Sequence, residues 1–88
     1  MVVVCSDTWS DGNANTNVLG GTEVPSADSV EDCKAACGAN SACTGVDWNP
    51  NNIAGQRCFA VIPPTGPRNV GIVLGVTHYD IVRNNCIG

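Results

Sequence analysis

Six cysteines in 88 residues, Cys5, Cys33, Cys37, Cys43, Cys58 and Cys86, restrict this chain more than any other feature. A chain of this length makes one domain, 1–88, and buries too small a share of its surface for a large core, so covalent staples matter. The cysteine content approaches the roughly 8–10% of a disulfide scaffold. An even number of cysteines in so short a chain argues for paired bridges and an oxidising compartment. A zinc site would need close Cys-x2-Cys or histidine pairs. The spacings contain no such pair, and His78 is the only histidine. The sequence therefore implies disulfides, with no metal and no cofactor.

Charge narrows the partners. The net charge is −4, and the cations are Lys34, Arg57, Arg68 and Arg83 alone. Nucleic-acid binding needs a basic stripe to displace counterions, which these four residues cannot build. Heparin and anionic membrane surfaces are disfavoured for the same reason. Membrane insertion is not expected either: the longest apolar run, Val70 to Val76, falls far short of the ~20 residues of a spanning helix. Met1-Val2-Val3-Val4 has neither the basic start nor the apolar length of a signal peptide. Four residues precede the first cysteine and two follow the last. That layout leads us to expect one module of a larger secreted protein.

Residues 6–29 are rich in Asn, Asp, Ser and Gly, which favour turns, so mostly loop and short β is expected there. A helix follows. Ser29 suits the N-cap, and Glu31 and Asp32 place negative charge where the helix dipole favours it. Lys34-Ala35-Ala36 are good helix formers, and Gly38 suits a left-handed C′ position. The helix should run from about Val30 to Cys37, with Val30, Cys33 and Cys37 facing the core at i, i+3, i+7. Three β-like runs come next: Thr44 to Trp48, Cys58 to Ile62, and Val70 to Val82 with a bend or bulge at Gly75.

Six cysteines allow 15 pairings. Cys33 and Cys37 sit at i, i+4 on the helix, where their Cβ vectors are parallel and cannot form a normal bridge. Each must bridge outward. Five residues separate Cys37 from Cys43, enough for the chain to reverse, which favours Cys37–Cys43 as the local bridge. Cys58, opening an apolar run, is the best distant partner for Cys33, leaving Cys5 and Cys86 to join the two ends.

The segments Ser29-Val-Glu-Asp-Cys33-Lys-Ala-Ala-Cys37, Cys43-Thr-Gly-Val-Asp-Trp-Asn49 and Cys58-Phe-Ala-Val61 resemble the PAN/apple domain family. The resemblance spans Cys5 to Cys86 and is most specific around the helix. It implies an α+β fold, a small disulfide-rich domain with one helix packed on a twisted antiparallel sheet of about five strands. It also implies the nested pairing Cys5–Cys86, Cys33–Cys58 and Cys37–Cys43. Such domains are non-catalytic modules that contact proteins or carbohydrates. This chain is poorer in aromatics than the family, and its first 28 residues match nothing specific.

Candidate sites follow from residue type. His78, beside Tyr79 and Asp80, reads as a surface histidine on a terminal strand, because a general base needs an oriented partner and a pocket. Asp11, Asn13 and Asn15 alternate like the first half of a calcium loop, but Thr16 and Thr22 stand where such a loop wants Gly and Glu. A solvated turn is the better reading. Trp48 reads as core. Trp9, in a polar stretch between Asp7 and Asp11, stands between covering a disulfide and anchoring a contact.

Recognition residues tend to sit on loops of a rigid scaffold. Two stretches qualify: the first offers Trp9, Asp11, Asn13 and Asn15, and the second offers Asn51, Asn52, Gln56 and Arg57. The run Val70–Val76 reads as a core strand; if exposed, it would mark an interface. The expectation is an extracellular adhesion or interaction module, not an enzyme, making protein–protein contact that includes self-association. Carbohydrate binding and an inert matrix spacer are the alternatives.

Overall fold

A polar residue at the start and a guanidinium at the end define the helix of the described residues. The computed structural model describes residues 4–18, 21–62 and 70–87, with the backbone alone at 4–5 and 84–87. Helix α1 is Val30–Gly38. Ser29 is extended (φ −146°, ψ 165°) and its hydroxyl accepts the Asp32 N–H at 3.1 Å. Asp32 reaches back to accept the Asp28 N–H at 3.4 Å, a reciprocal arrangement close to a capping box. The other end departs from expectation. Gly38 is the last helical residue and is not left-handed; the C-cap is Ala39 in the right-handed region. Part of the reason lies in Arg83. Its Nη2 faces the carbonyls of Cys37 (3.2 Å), Asn40 (2.6 Å) and Cys43 (2.8 Å), and its Nη1 faces that of Gly38 (3.3 Å). The Ala39 and Asn40 N–H groups reach the Ala35 and Cys37 carbonyls, and the guanidinium from elsewhere in the chain serves the Gly38 carbonyl and complements the dipole, so no left-handed turn is needed.

Among the described residues, six strands form one sheet: β1 Val4–Trp9, β2 Asn13–Val18, β3 Gly21–Glu23, β4 Gly45–Trp48, β5 Cys58–Val61 and β6 Val70–Ile87. The order is β1-β6-β4-β5-β3, with β2 also on β6, and every pairing is antiparallel. Trp9 opposes Ile81, the Ser10 N–H donates to the Asp80 carbonyl at 2.9 Å, and Asn13 opposes His78. Strands β1 and β2 thus follow one edge of β6 as a single interrupted strand, and the sheet has five positions. The domain is a small disulfide-rich α+β fold with one helix packed on that sheet. Residues 6–18, expected as mostly loop with short β, are mostly strand. Their pairing to β6 supplies an order that no alternation of apolar side chains announced.

Connectivity forces the sheet to curl. Val18 ends the first position and Gly21 begins the fifth, with two residues between. Three Cα–Cα steps span at most about 11 Å, whereas four strand spacings in a flat sheet span about 19 Å. The bend is made at a corner of the β2–β6 ribbon. Asn15 (φ 56°) and Gly75 (φ 88°) are both left-handed, and the Gly75 N–H donates to Asn15 Oδ1 at 3.0 Å. The register steps from Ala14↔Thr77 to Thr16↔Ile72, so Asn15 alone opposes residues 73–76. The bend expected at Gly75 is present.

The two faces of the sheet differ in chemistry. Val46, paired with Ala60 and Tyr79, lies on the helix side. Disulfides Cys33–Cys58 and Cys37–Cys43 pin α1 to that face, and all four cysteines are fully buried there. Backbone register also sets Cys5 opposite Cys86 in β1–β6; their side chains, and the bridge expected between them, lie outside the described residues. Asp47, paired with Phe59 and His78, points to the opposite side. Among the described residues no helix is long and apolar enough to cross a membrane.

Candidate functional site

The loop residues singled out from the sequence divide into two groups. Trp9 is half-buried against the helix-side core, with Lys34 Nζ 5.6 Å from its ring centroid and 4.2 Å from that of Tyr79. A cation–π contact therefore covers a Trp9 face that a sugar ring would need. Trp48 is also packed against this core, as expected. Asn13 and Asn15 lie in strand β2, so that part of the half-matched calcium loop is strand with a left-handed corner at Asn15. Asn15 is committed to the corner. Asn51 joins it there: a Cβ added at Gly75 would come 2.9 Å from Asn51 Nδ2. Asn52 Nδ2 donates to the Gln56 carbonyl (2.9 Å), and Arg57 Nε donates to the Asn52 carbonyl (2.7 Å). Both side chains are occupied in holding their own loop. Asp11 and Gln56 are exposed. The structure thus sets Asn15 and Asn51 each against Gly75 and leaves Trp9 with Lys34 on the helix face.

His78 is not a surface histidine. It is 1% exposed, as is Asp47. Its Nδ1 lies 2.7 Å from Asp47 Oδ1 and its Nε2 lies 2.8 Å from Asp80 Oδ1. Residues 78 and 80 share a strand face by the two-residue period, and Asp47 is directly opposite His78 on β4. Gly45 makes room for the imidazole: a Cβ there would come 3.0 Å from His78 Cε1 and 2.5 Å from the Tyr79 carbonyl oxygen. Burial works against the charged imidazolium. The hydrogen bonds to Asp47 and Asp80, with their negative charges, outweigh it and raise the His78 pKa above its ordinary 6.5. The Asp47 carboxylate also accepts the Val18 N–H of β2, at 3.1 and 3.3 Å from its two oxygens. The unit is a carboxylate–imidazole–carboxylate chain, buried at Asp47 and His78 and part-exposed at Asp80, that with Val18 ties three strands together. Ser10 Oγ accepts the Asp80 N–H at 3.0 Å.

The run Val70–Val76, expected as a core strand, is mostly at the surface. Ile72 is 87% exposed and Leu74 82%, with Val70 and Val73 exposed beside them; Val76 alone of the run's large side chains is buried. The cause is topological. Strand β4 pairs with β6 only over residues 77–80, so the stretch before residue 77 is flanked by β2 and passes beyond the helix-covered part of the sheet. From Val70 to Thr77 it carries no charged residue.

Comparison of the chain with family models, with curated proteins and with solved structures finds no significant match.

Proposed function

We propose that this chain is a PAN/apple-like extracellular interaction module that makes protein–protein contact through the apolar stretch Val70–Leu74, with a second copy of the chain as the partner. The observation that carries this reading is the exposure of Val70, Ile72, Val73 and Leu74 side by side on one strand. A sizeable apolar patch is costly to leave in water and marks an interface. The choice of partner follows from charge. Each copy is net −4, yet the stretch itself is uncharged, so two such stretches meet without the repulsion that other acidic surfaces would impose.

Two buried disulfides require an oxidising environment, which supports secretion. The carbohydrate reading loses its platform where Lys34 covers Trp9. An inert spacer gives no reason to expose four neighbouring apolar side chains. A non-catalytic role accords with a lone histidine engaged at both ring nitrogens.

Sedimentation velocity over a concentration series tests the reading. The wild type should self-associate below about 1 mM, the weak end of specific affinity. The double variant Ile72→Asp, Leu74→Asp should remain monomeric with an unchanged melting temperature. If wild type and variant both sediment as monomers throughout, contact between copies is ruled out. Binding on a glycan array by that monomer would instead restore the carbohydrate reading.

A further inference from the structure

The Val18–Asp47 bond crosses the sheet in an unusual way. Val18 ends β2 and Asp47 is in β4, two positions apart with β6 between them. Ordinary ladder pairing cannot join them. The bond exists because the ribbon turns at Asn15 and Gly75 and brings its end back over the face that holds Asp47. We propose that Asp47, His78 and Asp80 form a proton-operated latch that fastens the β2–β6 corner, the corner that carries the exposed apolar stretch. The regulatory consequence rests on the contact reading above; the latch itself does not.

The chemistry follows from which carboxylate water can reach. Asp47 is 1% exposed and holds two donors, the Val18 N–H and His78 Nδ1–H. Asp80 is 38% exposed. With both ring nitrogens protonated, the imidazolium donates to both carboxylates, and the buried Asp47–His78 pair is neutral overall. When one proton leaves, a nitrogen lone pair faces a carboxylate oxygen. Asp80 is the partner that yields, because water can solvate it in place of the ring. The neutral imidazole keeps Nδ1–H on Asp47. The buried pair then carries a net negative charge, held by two neutral donors, of which Val18 is one. A buried charge that has lost its counterion favours opening to solvent, and the element free to move is the corner that Val18 closes.

Strand β4 presents Asp47, and β6 presents Asp80. Strand β2 sets Asn13 opposite His78 and carries no titratable side chain from Asn13 to Val18; β5 sets Phe59 opposite Asp47. Asp11, between β1 and β2, is exposed. Because the two carboxylates raise the His78 pKa, the latch is closed in mildly acid solution and opens on the alkaline side.

Amide hydrogen exchange at Val18, followed by NMR together with the His78 ring resonances, tests the latch. After correction for the intrinsic pH dependence of exchange, Val18 protection should fall by about tenfold or more as His78 loses its proton, the order expected for a weakened hydrogen bond to a charged group. In Asp80→Asn the His78 titration and the loss of protection should move together to lower pH. In His78→Gln, protection should be low and independent of pH from 6 to 9. Should the latter variant fail to fold, Asp80→Asn alone decides, since Asp80 is part-exposed. Val18 protection that stays constant through the His78 titration of the wild type overturns the latch. Sedimentation at the same pH values reports separately on the contact, so failure of one reading is distinguishable from failure of the other.

Discussion

Replacing Arg83 by alanine removes a guanidinium that faces four backbone carbonyls at the end of α1. The four do not count equally. Asn40 is exposed, and water takes over for the lost donor at its carbonyl. Gly38 is half-buried and partly rehydrated. Cys37 and Cys43 are buried, but the Cys37 carbonyl keeps the Asn40 N–H at 3.0 Å, so it is the Cys43 carbonyl that loses a donor water replaces poorly. A buried acceptor left unsatisfied costs about 1–3 kcal/mol. The ion pair with Asp7, 3.5 Å away and part-exposed, adds at most about 1 kcal/mol. Allowing for relaxation, the loss should be about 1–3 kcal/mol, against a total stability of about 5–15 kcal/mol for a domain. At about 4–8 °C per kcal/mol for a domain of this size, the melting temperature should fall by roughly 5–25 °C. Calorimetry with the bridges intact measures this. Arg83→Lys should recover only part of the loss, because an ammonium restores the charge at the helix terminus but not the planar fork. A cost for Arg83→Ala below about 0.5 kcal/mol, within the range of ordinary surface substitutions, would refute the claim that this side chain closes the helix.

Stability should also depend on pH through His78. Its folded pKa is raised above the unfolded 6.5, so its contribution is complete below about pH 6.5 and is lost as pH rises through the folded value; urea unfolding from pH 6 to 9 should show this decline, and His78→Gln should flatten it. The two described bridges should differ in worth. Cys33–Cys58 closes 25 residues and Cys37–Cys43 closes 6, so the chain-entropy model assigns about 3.5 and about 2.2 kcal/mol respectively. Denaturant melts of the paired Cys→Ser variants check the order, and an inverted order would show that strain or residual structure, not loop length, dominates.

What was legible in the sequence was mostly local. Ser29, Glu31 and Asp32 mark the start of the helix within one turn of chain, and Cys33 and Cys37 mark its buried stripe. The apolar runs beginning at Thr44 and Cys58 mark the two strands against which that stripe packs, and Gly75 marks its own bend. The N-terminal strands were illegible for a physical reason. Asn13-Ala-Asn-Thr-Asn17 has low strand propensity and no apolar alternation, so its extended form depends on the β6 backbone beside it. Arg83 is equally nonlocal: it caps a helix 45 residues away from Gly38, and nothing near either residue announces the other.

The His78 cluster is intermediate, because half of its signal was present. His78-x-Asp80 places two polar groups on one face of a strand, and Asp47 stands between Val46 and Trp48 in a run that otherwise reads as buried. A carboxylate in such a strand needs a partner, since an unpaired buried charge is too costly to keep. A chain with four cations and one histidine offers few candidates. Two of the cations are committed elsewhere, Lys34 to the Trp9 and Tyr79 rings and Arg83 to the helix end. What the sequence lacked was the register that sets Asp47 opposite His78, a relation across 31 residues. The same missing register hid the exposure of Ile72 and Leu74: an apolar run is buried only where another element covers it, and β4 stops pairing at Thr77. Charge pairing and apolar exposure are therefore two results of one topological fact. Strand β6 is longer than the strand beside it, and its overhang must bend back over the polar face, with Asp47 there to receive it.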